Sequence, residues 1–293
     1  MTETPHHGPP SAAGNWKILV PFIAAERRIG ARMAARPGTA ALYEFIRFGL
    51  KQGWACLFGG IMVALMIGTS LFYPRSAPLS RYDFMFLAAL IVQALLLKLR
   101  METFEEAKVI LIYHLVGTAM EIFKTGVGSW IYPEPAFFRI AGVPLFTGFM
   151  YSCIGSYICR SWRLFDFRFT RHPAMWSLVV LSVAIYVNFF AHHYVVDIRL
   201  LLFAASAVLF GPCMIYFTVW HKPRRMPLLV GLFLVSVFIW ISENVGTYTK
   251  TWLYPGQKNG WTLVTTQKLG AWFLLLVISY TLVALVNKPR EMS

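Results

Sequence analysis

Long apolar stretches separated by short basic connections constrain this chain more than any other feature. No aspartate, glutamate, lysine or arginine occurs between Met175 and Val196, or between Leu228 and Ile241. Such stretches approach or exceed the roughly 20 apolar residues that cross a bilayer as a helix. Inside hydrocarbon a backbone must satisfy its own N–H and C=O groups, and a helix does so within one segment. The spacing predicts eight spans, at roughly 53–73, 83–100, 106–125, 138–160, 173–193, 197–219, 227–247 and 265–287. The third is the least conventional, because it contains His114 and ends at Glu121.

Charge supports a membrane class and orients it. The chain is 57% hydrophobic and only 14% charged, against about a quarter charged in soluble domains. Its net charge of +14 does not point to nucleic acid, because the basic residues lie between apolar segments and no basic soluble domain exists. With the N-terminus inside, cytoplasmic segments hold 19 of the 27 lysines and arginines, which places both termini in the cytoplasm of a bacterial inner membrane. The opening, Met1 to about Asn15, is polar and lacks the apolar core of a cleavable signal peptide. Apolar and basic residues then alternate to Lys51, and Pro37-Gly38 divides them into two interfacial amphipathic helices. The four cysteines have no CxxC spacing and read as small buried hydrophobes.

A signature occurs twice. Glu121, Thr125, Trp130, Tyr132 and Pro133 align without a gap on Glu243, Thr247, Trp252, Tyr254 and Pro255, 122 residues later. Each copy lies where one apolar segment ends and another begins. Four predicted spans separate the copies, so both face the same side, as in parallel repeats. The expected fold is therefore an all-α polytopic transmembrane bundle with an internal repeat. Residues 1–51 form the cytoplasmic tail and interfacial helices, and 52–293 the transmembrane domain, with repeats at 52–172 and 173–293.

The candidate chemistry gathers at these corners. A carboxylate near a span end is costly unless paired, wet or protonated. Glu121 and Glu243 thus have two readings: buried acids able to donate a proton, or structural acceptors for a nearby lysine or for the loop carrying Trp and Tyr. Helical spacing puts Lys124, Thr118 and His114 on the face of Glu121, and Thr247 and Lys250 on that of Glu243. Trp130, Tyr132, Trp252 and Tyr254 suit an interfacial aromatic belt, or the wall of a pocket for an apolar or cationic ligand. A third cluster, Asn188, His192, His193, Asp197 and Arg199, falls on the same predicted side. Adjacent histidines diverge by about 100° on a continuing helix, so His193 and Asp197 form the better pair. No metal or other cofactor is expected. Glu102, Glu105 and Glu106 with Lys98, Arg100 and Lys108 read as a solvated helix face, and Arg160 to Arg171 as a loop on lipid headgroups. Gly142, Gly148 and Gly155 give the fourth span a face for close packing.

The strings around His114–Thr125, Gly128–Glu134, Gly142–Tyr151 and Trp162–Arg168, with Asn188–His193 and Asp197–Arg199, resemble the bacterial integral-membrane proteins of domain-of-unknown-function family 817. That resemblance implies a membrane location and no activity. The acidic residues near Gly, Trp and Tyr at span ends are also similar to membrane-embedded lycopene cyclases and carotenoid hydratases. Two functions are expected on these grounds. One is acid–base chemistry on an apolar, isoprenoid-like substrate, with Glu121, Glu243, His193 and Asp197 catalytic. The other is proton-coupled transport of a small solute. A scaffold without chemistry is the third reading. Membrane lipids are the expected partners; oligomeric state is open.

Overall fold

Helices form at all eight expected places. The computed structural model describes residues 25, 28–30, 32–33, 37–74 and 76–292. The tail to Asn15, with His6-His7, and the start of the first interfacial helix lie outside the described residues. The described chain divides into two units at Leu50/Lys51. Helix α1, Pro37–Ala55, begins on a proline, which is tolerated at the first helical position. Leu42, Phe45, Ile46 and Leu50 are exposed along it at helical spacing, the apolar stripe expected of the second interfacial helix.

In the second unit follow α2 (Leu57–Phe72), α3 (Arg81–Lys98), α4 (Phe104–Gly126), α5 (Phe146–Phe165), α6 (Met175–Ala191), α7 (Arg199–Phe210), α8 (Leu228–Tyr248) and α9 (Thr266–Asn287). Glu106–Gly126, Leu228–Tyr248 and Thr266–Asn287 are long and apolar enough to cross a membrane, and a fourth span results if the two helices broken at Cys56 count as one. The unconventional third segment is thus among the three that qualify. The apolar helices α6 and α7 are shorter.

The chain is mostly helical, but not all-α. A hairpin pairs β1 (Arg139–Ile140) with β2 (Val143–Pro144), and a three-stranded antiparallel sheet has the order β3 (Arg168–Thr170), β4 (Met214–Thr218), β5 (Pro223–Pro227). These sheets shorten two expected spans. The fourth begins at Phe146 because residues 138–144 turn back as β1–β2. The sixth stops at Phe210 because Gly211-Pro212 follows, and a proline cannot extend the hydrogen-bond ladder. The residues beyond it become β4.

Polarity is distributed inside out. Trp176, Val180, Val183 and Val187 are exposed along one face of α6, while Ser182 and Asn188 are buried. Val230, Phe233, Leu234, Phe238 and Ile241 are exposed on α8, while Ser236 and Glu243 are buried. An outward apolar face over an inward polar one is what a lipid environment selects.

Two ends of the second unit can be told apart. The signature loops lie at one end. The three-stranded sheet lies at the other, where Phe169 also exchanges backbone hydrogen bonds with Arg290 and Met292. At that second end Arg160 and Glu102 form an ion pair of 2.9 Å with both side chains fully buried. Ser156 and Gln93 also donate to Glu102. Glu102 is therefore not part of a solvated face, and Arg160 is not a headgroup contact. Charge alternation along the sequence suggested exposure, yet helix packing between α3, α4 and α5 encloses the pair. Glu106 is buried too, closing a capping box with Thr103.

Removing one member of a buried pair strands the other charge, at a cost of roughly 3–5 kcal/mol. Arg160→Leu alone is expected to lower the thermal unfolding temperature in detergent sharply. Arg160→Leu with Glu102→Leu is expected to recover most of that loss, because neither charge then remains buried.

Candidate functional site

Both signature helices end in the same way. Beyond α4, Gly128 takes a left-handed backbone (φ 73°), and beyond α8 Lys250 does (φ 55°). Ser129 N–H returns to Lys124 C=O at 2.9 Å, and Thr251 N–H to Gly246 C=O at 2.9 Å. Gly128 N–H reaches Thr125 C=O, and Lys250 N–H reaches Thr247 C=O, at 3.1 Å each. These are matched Schellman endings at aligned positions. The two loops then meet. Ile131 and Leu253, also aligned, pair as an antiparallel bridge with both N–H···O bonds at 2.9 Å. The two corners thus share one end of the protein.

Each corner closes around its carboxylate. Glu121 accepts from Trp130 Nε1 at 2.7 Å, from Tyr132 OH, and from Tyr151 OH at 2.7 Å. Glu243 accepts from Tyr254 OH and Trp272 Nε1. Burial, and then the adjacent carboxylate, hold the loop phenols of Tyr132 and Tyr254 well above their ordinary pKa, so they stay donors. The match is not complete. Trp252 does not take Trp130's role; it packs against the buried cluster that holds Tyr82 and Phe146, with its six-membered ring close to Gly246, where no Cβ fits. Trp272 of α9 supplies the indole instead.

The start of α3 ties the corners down. Arg81 donates to Thr249 C=O and Thr251 Oγ1, and pairs with Glu134 at 3.1 Å. Tyr82 OH donates to Thr251 C=O at 2.8 Å. Asp83 accepts from the backbone N–H groups of Phe137 and Phe138, both at 2.8 Å. Sequence reasoning gave Asp83 no role beyond its place at the start of the expected 83–100 span; the Arg-Tyr-Asp order at a helix start was the available signal.

A cavity of about 310 Å³ opens beside the bridge. Lys124 and Trp130 of the first corner line it, with Tyr254 of the second, Asn188 of α6, His192 and His193 just beyond α6, Arg199 of α7 and Lys268 of α9. Lys124 Nζ lies 2.8 Å from His193 Nε2 and 4.1 Å from the Phe189 ring centre. It does not pair with Glu121. Lys268 Nζ sits over the rings of Tyr254 and Trp130, at 4.4 and 5.1 Å.

Several expected residues lie elsewhere. Glu121 and Glu243 stand behind the aromatic wall rather than on the cavity lining. Tyr132 and Trp252 are absent from that lining. Lys250 is exposed, and His114 packs on Phe149 with its Nδ1 buried. His193 and Asp197 do not pair, because α6 ends at Ala191 and releases the helical spacing that linked them. The His192 and His193 rings lie against each other instead, tilted by 34° with 4.1 Å between centres, while Asp197 accepts from Asn188 at 3.0 Å and pairs with Arg199 at 3.1 Å.

Fold and site together define a helical protein with membrane-type segments and a polar cavity beside two paired corners. The chain belongs to the family described as "Protein of unknown function (DUF817)", whose model matches residues 44–280. The uncharacterized protein YoaT of Bacillus subtilis (strain 168) is similar, 36% identical over 253 residues that cover 86% of this chain and 95% of YoaT. No solved structure matches.

Glu121→Leu is expected to leave three buried donors unpaired, at about 1–3 kcal/mol for each. Thermal unfolding in detergent should show a larger loss than for Lys250→Leu. Gly246→Leu should displace Trp252 and lower stability while leaving the Glu243 bonds in place; tryptophan emission reports the displacement.

Proposed function

We propose that this is an eight-span inner-membrane protein that binds a small solute in the cavity between its two corners, as a secondary transporter does. The observation that carries this reading is convergence: side chains from both signature loops and from three further helices line one cavity. Solute sites of transporters lie between related halves. The two halves are copies, about 52–172 and 173–293, related by an axis along the membrane normal. Aligned residues that pair reciprocally, as Ile131 and Leu253 do, are what a local twofold axis produces. The matched left-handed endings at Gly128 and Lys250 support the same view. Basic residues gathered near the three-stranded sheet, including Arg168, Arg171, Arg224 and Arg225, support a cytoplasmic position for that end and an outward-facing cavity. His193, against Lys124, is the group suited to couple protons to the solute.

Acid–base catalysis on an isoprenoid is the weaker reading. Glu121 and Glu243 are engaged by phenol and indole donors. The rings that would steady a carbocation already carry the Lys268 ammonium.

Two measurements test the proposal. In a cysteine-free background, an impermeant thiol reagent on intact cells should label Val127→Cys and Lys250→Cys, but not Arg225→Cys. Labelling of the first two from opposite sides would end the repeat. Native mass spectrometry should show a bound water-soluble molecule that Trp130→Ala with His193→Ala removes and Lys250→Ala retains. A bound isoprenoid would restore the enzyme reading.

A further inference from the structure

We infer that the cavity is an anion site, made for a small organic carboxylate with an apolar body; this rests on the solute-binding reading above. Three basic side chains line it, Lys124, Arg199 and Lys268, and no lining residue is acidic. The nearby carboxylates are engaged. Glu121 and Glu243 accept from the aromatic wall, and Asp197 pairs with Arg199. Among the described residues neither Lys124 nor Lys268 has an ion pair. Lys124 is buried and meets an imidazole and a phenyl face. Lys268 meets the faces of Tyr254 and Trp130.

Ring faces attract cations, but they do not cancel charge. Two ammonium groups that share a largely dehydrated site and make no direct ion pair repel each other, and an anion that enters between them relieves that cost. The same cations repel a cationic solute, so the site selects by charge. Hydroxyl and amide groups of Ser129, Thr265 and Gln267 add polar partners for an oxyanion. Apolar side chains, Ile185, Ala271, Leu274 and Leu275, line the cavity as well, which suits a hydrocarbon or aromatic body of a few carbons.

The test is calorimetric titration of the full-length protein in lipid nanodiscs. The probes are 3-phenylpropionate, its neutral amide, acetate and inorganic phosphate. The carboxylate should bind at least about tenfold tighter than the amide, as expected when a charge-assisted bond is lost. Lys124→Gln and Lys268→Gln should each weaken it by about tenfold or more, Lys124→Arg by less, and exposed Lys250→Gln not at all. Thermal unfolding of each variant identifies any that fails to fold, and Lys124→Arg then stands in for Lys124→Gln as the comparison with Lys250→Gln.

Equal binding of the amide overturns the anion site while leaving a solute site. Acetate or phosphate binding as tightly as phenylpropionate overturns the apolar body. If no anion binds, the inference fails, and the solute reading is decided separately by native mass spectrometry, which uses none of these probes.

Discussion

A carboxylate that must be satisfied away from water organises this end of the protein. Without its donors, Glu121 would be a buried charge of several kcal/mol. Its acceptor capacity is met from three places along the chain, the loop residues Trp130 and Tyr132 and the α5 residue Tyr151. Those bonds draw the loop back over the helix end and hold α5 beside α4. Glu243 does the same with Tyr254 and with Trp272 of α9. Once both loops are folded back, their outer edges carry Ile131 and Leu253 into register, and the bridge between them needs no further device. The cavity is the space left beside this assembly, and its aromatic wall is the back of the same hydrogen-bonded rings.

Much of this was legible in the sequence. Apolar run length marks every helix of the second unit, since hydrocarbon burial and helical backbone pairing are local requirements. The gapless alignment of Glu121–Pro133 on Glu243–Pro255 finds both corners, and acceptance of hydrogen bonds from the Trp and Tyr of the loop was one of its two readings. Less visible were features set by contacts across the fold. The Glu102–Arg160 pair joins residues 58 apart, and each looks solvated among its sequence neighbours. Trp272 replaces Trp252 as the indole donor, which alignment cannot show because the two differ in element and register. The contact between His192 and His193 escaped because a helical angle was assumed two residues past the end of α6.

The small sheets were missed for a related reason. β4 is a run of Met, Ile, Tyr, Phe and Thr, residues equally at home at a helix end and in a strand. Periodicity does not separate those states over five residues. Gly211-Pro212 ends α7 and the rigid Pro223 opens β5, so the chain between them turns back on itself and pairs with Arg168–Thr170. The outcome gathers strands, the C-terminal residues Arg290 and Met292, and many cations at the end opposite the corners.

Electrostatics then distinguishes the two ends in kind. At the sheet end the deeply buried cation, Arg160, has its carboxylate at 2.9 Å, and the pair costs the fold little beyond desolvation. At the corner end the acids are present in equal supply, but phenols and indoles hold them, and the lysines are left to rings. Neutral donors satisfy a carboxylate's lone pairs without neutralising its charge, so the separation of acids from lysines places negative charge behind the wall and positive charge in front of it. A simple structural pin would have paired Glu121 with Lys124, one turn away, and left one cation fewer for the cavity. The chain instead turns Lys124 toward His193, and this sets the corner apart from a carboxylate–lysine anchor.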